Sequence, residues 1–354
     1  MKSNSAEFTE KNIYKIGQLF FNLATFFLST ALPISGIFLI FSIFISFLDT
    51  KFRLLNDKWN LSILFIGGLF IFNLLRFNLI NFDPTGFFDQ KLVLLDLFNW
   101  IPLFIIFISS QYYLKNQAER YLFSKFLIAG TIPVLISCIL QYHFKLYGPF
   151  KTFFGLIVIF NKPPIAGDGV SGLFSNPNYT GIWLSMSLPV LLFLISRDKR
   201  LNVKRLILFL ISISLIYVIF LTMSRNAMAA LLSTFLIFFG LKKIFFFAFL
   251  IFLIYILFGI LDPFINVKNL VGEFHLQNLI SKLSIYKIAD ILEFTRIKIW
   301  INTLRLITQR PIFGFGASTF PLVFYNFSNL EMQHSHNMPL QLAYDYGLPI
   351  SILL

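Results

Sequence analysis

Cysteine is almost missing. Cys138 is the only one in 354 residues, and it stands in an apolar run. A disulfide framework and a cysteine-built zinc site are thereby excluded. Charge is scarce as well: 13% of the residues are Asp, Glu, Lys or Arg, against 57% hydrophobic, and mean hydropathy is +0.78. A soluble domain of this length needs far more polar surface, so the composition is that of a polytopic membrane protein. Its fold class is all-α, because long apolar runs in lipid must satisfy their backbone hydrogen bonds internally. Acidic residues number 16 against 29 basic ones. In a soluble chain that excess would point to nucleic acid; here the loops must be counted separately, and no nucleic-acid partner follows. No GxxxxGK(S/T) motif is present, so no nucleotide site is visible. What abounds is phenylalanine, with 48 residues, and a lipid-facing surface accounts for it.

Apolar stretches at about 17–32, 34–48, 60–75, 92–110, 121–142, 178–195, 206–223, 227–240, 244–260 and 338–354 predict about ten transmembrane helices. Pro33 is expected to separate the first two as a tight helical hairpin. Ser29-Thr30-Ala31 offers a signal-peptide cleavage site, but a second apolar run follows at once and argues against cleavage. Lys and Arg then orient the chain. The N-terminal tail and loops 49–59, 111–120, 196–205 and 241–243 hold fifteen, whereas the alternate short loops 76–91, 143–177 and 224–226 hold six. Positive charge stays inside. The N-terminus is therefore cytoplasmic, and 143–177, Arg225 and the long loop 261–337 face outward. The final segment contains Asp345 and Gly347 and stops at Leu354, and reads as a truncated chain or one whose natural C-terminus lacks helices. Residues 1–170 form a region of helices with the first large outer loop; 171–354 form a second region that includes loop 261–337.

Four features gather on the outward side. Gly172-Leu173-Phe174-Ser175-Asn176-Pro177-Asn178-Tyr179 precedes a helix. A plain helix cap explains it; so does a helix N-terminus turned towards an anionic ligand. Thr222-Met223-Ser224-Arg225 lies between two helices, and Arg225 departs from the positive-inside bias in a turn of about three residues. Residues 296–310 predict an amphipathic helix ended by Pro311. Ile297, Trp300, Ile301, Leu304 and Ile307 form its apolar stripe, Lys298, Asn302, Arg305 and Gln309 lie opposite, and Arg296 falls at the border. Such a helix suits a membrane interface. Finally, His334-Ser335-His336-Asn337 closes the polar stretch. Neither a cysteine nor a nearby carboxylate pair completes a metal set there, so no metal is expected. A neutral imidazole titrating near 6.5 suits a general base.

In this order, these residues resemble the O-antigen ligase and O-antigen polymerase superfamily of bacterial envelope glycan transferases. The pieces are Phe174-Ser175-Asn176-Pro177-Asn178, Leu221-Thr222-Met223-Ser224-Arg225, Arg296 with Trp300, Pro311-Ile312-Phe313-Gly314-Phe315-Gly316 and His334-Ser335-His336-Asn337. The ligases' pattern of His-Asn followed nine residues later by Gly is met by His336-Asn337 and Gly347, while Ser351 stands where the pattern asks for Gly, Thr or Tyr. The resemblance covers about 170–354. It implies a metal-independent transfer without cofactor, from an undecaprenyl-diphosphate-linked glycan to lipid A core or another glycan acceptor, with membrane lipids around it. The protein would lie in the bacterial inner membrane with its active site periplasmic. It further implies that Arg225 and Arg296 neutralise the diphosphate and that His336 takes the acceptor proton. Asn176, Asn178, Ser224, His334 and Asn337 would bind substrate. A repeat-unit polymerase, a protein O-oligosaccharyltransferase and a small-anion transporter are the alternatives; against the transporter, the sequence shows no internal repeat.

Overall fold

The computed structural model describes residues 2–48, 57–79, 90–163, 169–197, 202–241, 243 and 295–354. Helices dominate, as the apolar runs require, and one small β-hairpin departs from the all-α expectation. In chain order the elements are α1 (Lys2–Phe27), α2 (Leu32–Leu48), α3 (Lys58–Leu79), α4 (Gln90–Tyr113) and α5 (Gln117–His143). The hairpin strands β1 (Phe150–Thr152) and β2 (Ile157–Ile159) come next, then α6 (Pro177–Arg197), α7 (Val203–Leu221) and α8 (Arg225–Leu241). After the undescribed stretch come α9 (Thr295–Gln309), α10 (Phe320–Ser328), α11 (Met338–Tyr346) and α12 (Leu348–Leu353).

Among the described residues, five helices are long and apolar enough to cross a membrane: Lys58–Arg76 of α3, Lys91–Tyr113 of α4, and all of α5, α6 and α7. α2 and α8 are apolar but shorter. The expected segment 244–260 and residues 261–294 of the expected long loop lie outside the described residues. The expected final span 338–354 is not one helix. It breaks at Gly347 into α11 and α12, of nine and six residues. At 1.5 Å per residue neither piece crosses a hydrocarbon layer of about 30 Å. The first hairpin forms as its apolar runs predict. Its break falls at residues 28–31, and Pro33 sits in the first turn of α2, where its missing N–H costs nothing.

The chain divides into two compact units, residues 1–45 with 113–283 and residues 46–112 with 284–354. In the first, α1 packs on α5, and α5, α6 and α7 pack on one another. Their shared core is aliphatic and recurs at helical spacing: Val134, Leu135 and Cys138 from α5, Leu184, Leu188, Leu191 and Leu194 from α6, and Leu215, Val218 and Ile219 from α7. Lipid is as apolar as leucine, so such helices associate through close packing, which small residues permit. Gly130 shows this: a Cβ there would stand 2.2 Å from the carbonyl oxygen of Phe26. Gly130→Ala should therefore force α1 off α5 and destabilise the fold by roughly 1–3 kcal/mol, the usual cost of overpacking. Thermal unfolding in detergent measures it, and an unchanged midpoint would show that the two helices do not need this contact.

In the second unit α9 packs on α10 and α11, and α12 packs on α3. One cluster joins Ile66, Phe70 and Leu74 of α3 to Leu342, Tyr346 and Ile350, and another joins Ile299, Leu306 and Ile307 of α9 to Phe320, Phe324 and Tyr344. The amphipathic helix forms as the pattern predicts, but its buried face is a different one. Ile299, Thr303, Leu306 and Ile307 are buried, whereas Ile301 and Leu304 of the expected stripe are exposed. α9 thus carries two apolar faces, one turned to its own unit and one left outside, with Lys298 and Arg305 exposed beside the latter.

Candidate functional site

The histidine loop 334–337 lies in the second unit, between α10 and α11. Its anchor is Ser335, which is fully buried. The Ser335 amide donates to Gln341 Oε1 at 2.8 Å, and its carbonyl accepts from Trp300 Nε1 at 3.1 Å. Ser335 Oγ donates to the Asn337 carbonyl at 2.8 Å. Gln341 is itself fixed, donating through Nε2 to both oxygens of the buried Asp345, at 3.2 and 3.1 Å. The two neighbours of Ser335 in the histidine pair stay exposed. His334 and His336 lie with ring centroids 4.2 Å apart, and His336 takes a left-handed backbone with φ +54°. A residue of that size rarely adopts this conformation, and it persists only where the surroundings impose it. Here Ser335 below and the start of α11 above impose it, and the ring stands outward.

Arg296, on the first turn of α9, faces the same loop. One turn on, Trp300 reaches Ser335, so the spacing of four brings both onto the histidine side of the helix. Partial desolvation, then the neighbouring His334, then Arg296 hold the His336 imidazole below the ordinary histidine value. Asn337 serves as the N-cap of α11, its Oδ1 accepting from the Leu340 amide at 3.2 Å. The structure thus brings four of the sequence-predicted residues together: Arg296, His334, His336 and Asn337.

The other four belong to the first unit. Asn176 caps α6, its Oδ1 accepting from the Asn178 amide at 2.8 Å; both asparagines are exposed. Ser224 is buried at the start of α8, its Oγ 3.4 Å from the Ala227 amide, and Arg225 after it is exposed. The turn that carries them has Met223 at φ +52° and leans on the start of α6, where a Cβ on Gly181 would meet Ala227 Cβ at 2.7 Å and Ser224 Cβ at 3.0 Å. The cap at Asn176 and the turn at Arg225 are therefore parts of one local assembly.

The glycines of the turn after α9 find their reason here. Phe315 N donates to the Tyr344 carbonyl at 2.7 Å, Gly316 N to that of Asp345 at 3.0 Å, and Leu348 N to that of Pro311 at 2.7 Å. A Cβ on Gly314 would lie 2.4 Å from the Tyr344 oxygen, and one on Gly347 would lie 2.1 Å from the Ile312 oxygen. The two backbones run in contact, and only glycine fits on either side. Turn 311–316 therefore holds the end of α11, and α11 holds the histidine loop. Residues 207–354 match the family model described as O-antigen ligase. This region is of the O-antigen ligase and polymerase superfamily. No curated protein matches the chain.

The O-antigen ligase region contains Ser224, Arg225, Arg296, His334, His336 and Asn337, while Asn176 and Asn178 precede it. That match and the apolar helices support membrane-protein character, and the matched family is one of the glycan-transferase type. Ser335, Gln341 and Asp345 escaped the sequence reading as supports of the site. Their signal was present: Gln341 and Asp345 are polar residues four apart in an otherwise apolar helix, a pairing that costs stability unless each finds a partner.

Proposed function

We propose that the chain transfers a glycan from undecaprenyl diphosphate to an acceptor hydroxyl at the periplasmic face of the bacterial inner membrane, and that lipid A core is the acceptor. Region 171–354 carries the chemistry. The observation that supports this most directly is the placement of His336: an exposed imidazole, held by a buried anchor, with Arg296 beside it. The acceptor oxygen attacks the anomeric carbon as its proton passes to His336, the bond to the diphosphate oxygen breaks, and undecaprenyl diphosphate leaves. Charge develops on the departing oxygens, and arginine meets such oxygens with two parallel, charge-assisted hydrogen bonds and keeps its proton. Arg296 has this role, and the sequence pattern assigns it to Arg225 as well. Asn176, Asn178, His334 and Asn337 supply polar contacts to the substrate, with Ser224 supporting the Arg225 turn from beneath. The energy of the donor's diphosphate ester drives the transfer, so neither nucleotide nor metal is needed.

Arg225→Lys should lower transfer on the order of 100-fold, because lysine cannot reproduce the planar fork that stabilises the developing charge. Wild-type turnover in that variant, measured with carrier-linked glycan in vesicles, would remove Arg225 from the mechanism. The function itself is tested in a deletion strain complemented with the intact gene, by comparing carrier-linked glycans with surface lipopolysaccharide. Long chains left on the carrier with bare lipid A core mean ligation. Single repeats on the carrier mean polymerisation, a missing protein-bound glycan means a protein acceptor, and an unchanged profile favours small-anion transport.

A further inference from the structure

The hairpin β1–β2 has no part in the proposed chemistry, and its tip is built against ordinary turn preferences. Its strands pair Phe150 with Ile159 and Thr152 with Ile157, and the tip between them is Phe153-Phe154-Gly155-Leu156. Phe153, Phe154 and Gly155 all adopt left-handed backbone, at φ +49°, +55° and +87°. Glycine or asparagine serves such positions at little cost, whereas two successive phenylalanines are strained there. The rings gain nothing from the protein in return: Phe153 is 66% exposed, Leu156 67%, and Phe154 wholly exposed. Strain kept for the sake of outward aromatic side chains points to something outside the chain that receives them.

The base of the hairpin shows where that something lies. α5 is long and apolar enough to cross a bilayer, and His143 ends it, seven residues before β1. The base is fastened to the last turns of that helix. Ser137 Oγ donates to Asn161 Oδ1 at 2.6 Å and Gln141 Nε2 to the Lys162 carbonyl at 2.6 Å, while Gly148 N closes the base itself by donating to the Asn161 carbonyl at 3.1 Å. A three-residue strand spans about 10 Å. The interfacial layer on each side of the hydrocarbon is roughly 5–8 Å deep, so the tip stays within reach of it. The chain from 143 to 163 holds three lysines, Lys145, Lys151 and Lys162, all exposed, and no Asp or Glu. Apolar rings flanked by unopposed cations match an anionic lipid surface, with rings below the headgroups and ammonium groups among the phosphates.

We propose that the Phe153–Leu156 tip inserts into the headgroup layer of the bilayer that α5 spans, and so fastens this end of the helix at the lipid surface. The proposal is independent of the glycan-transfer reading. Cys138 is buried, so Phe154→Cys gives this chain one accessible thiol, to which an environment-sensitive NBD dye can be attached. In vesicles of phosphatidylethanolamine and phosphatidylglycerol at three to one, the emission should be blue-shifted. Lipids with a nitroxide at the headgroup should quench it more strongly than lipids with a nitroxide deep in the chains. Water-like emission with no lipid quenching would overturn the proposal. Blue-shifted emission that neither nitroxide quenches would overturn it too, and would give the tip to a protein partner or a second copy. The double variant Phe153→Ser with Phe154→Ser should keep its thermal midpoint in detergent, because neither ring packs on the protein; a large loss would show that they do.

Discussion

His336→Ala is expected to remove all but a small residue of transfer and leave the protein folded. The two halves of this expectation have separate causes. The fold does not depend on the imidazole, which is exposed, whereas the loop is held one residue earlier by the buried Ser335, through Gln341 and Trp300. Alanine is somewhat less at ease than histidine in the left-handed backbone at this position, but the bonds made by Ser335 set the course of the loop, so the loop keeps it. The chemistry, by contrast, loses its proton acceptor. General-base catalysis contributes typically 10²–10⁴-fold, and a loss of about that size should appear in single-turnover assays with carrier-linked donor. Full activity would pass the role to His334. The pH profile adds a second reading. Desolvation, His334 and Arg296 lower the His336 pKa, so the neutral, proton-accepting form persists to more acidic pH than for a free imidazole. Transfer should rise with pH through a midpoint below about 6.5, the ordinary histidine value, and level off above it. His334→Ala and Arg296→Gln each remove a neighbour that lowers the His336 pKa and should move that midpoint upward. A midpoint that ignores both variants would mean that another group sets the acid limb.

How much of this could be read in the sequence differs from residue to residue. Apolar runs gave the helices, because a run of about 20 residues has few other ways to satisfy its backbone in lipid. The amphipathic helix was legible as a helix but not by face. Ile299 and Leu306 interrupt the stripe drawn through Ile297, Ile301 and Leu304, and a chain with lipid on one side and protein on the other carries two apolar faces. Periodicity alone does not rank them. Likewise 338–354 read as one span, since apolar composition does not reveal a break; Gly347 was seen there, but its conformation comes from a contact with residues more than thirty positions earlier. The site was legible where chemistry is carried by rare side chains, at His336 and Arg296. It was hidden where it is carried by backbone, as at Ser335, whose amide and carbonyl do the anchoring.

Gly347→Ala should be nearly as damaging as loss of the histidine, though it touches no substrate. Gly347 has φ +93° and ψ 164°, a region in which only glycine is at ease, and a side chain there costs on the order of 1–3 kcal/mol. A second cost adds to the first. The new Cβ would lie 2.1 Å from the Ile312 carbonyl oxygen and 2.4 Å from the Ile312 carbonyl carbon, and neither is the movable end of a side chain. The turn 311–316 must then part from α11, and the bonds from Phe315, Gly316 and Leu348 go with it. α11 carries Gln341 and Asn337, so its displacement releases Ser335 and with it the orientation of His336. Gly155→Ala separates the two costs, because Gly155 also has a left-handed backbone, at φ +87°, yet nothing stands within 4 Å of its absent Cβ. That variant should lower the thermal midpoint slightly and spare transfer. Gly347→Ala should lower it several times further and reduce transfer at least tenfold. Equal effects from the two would mean that backbone strain alone demands glycine at 347, and that the histidine loop is held without the 311–316 turn.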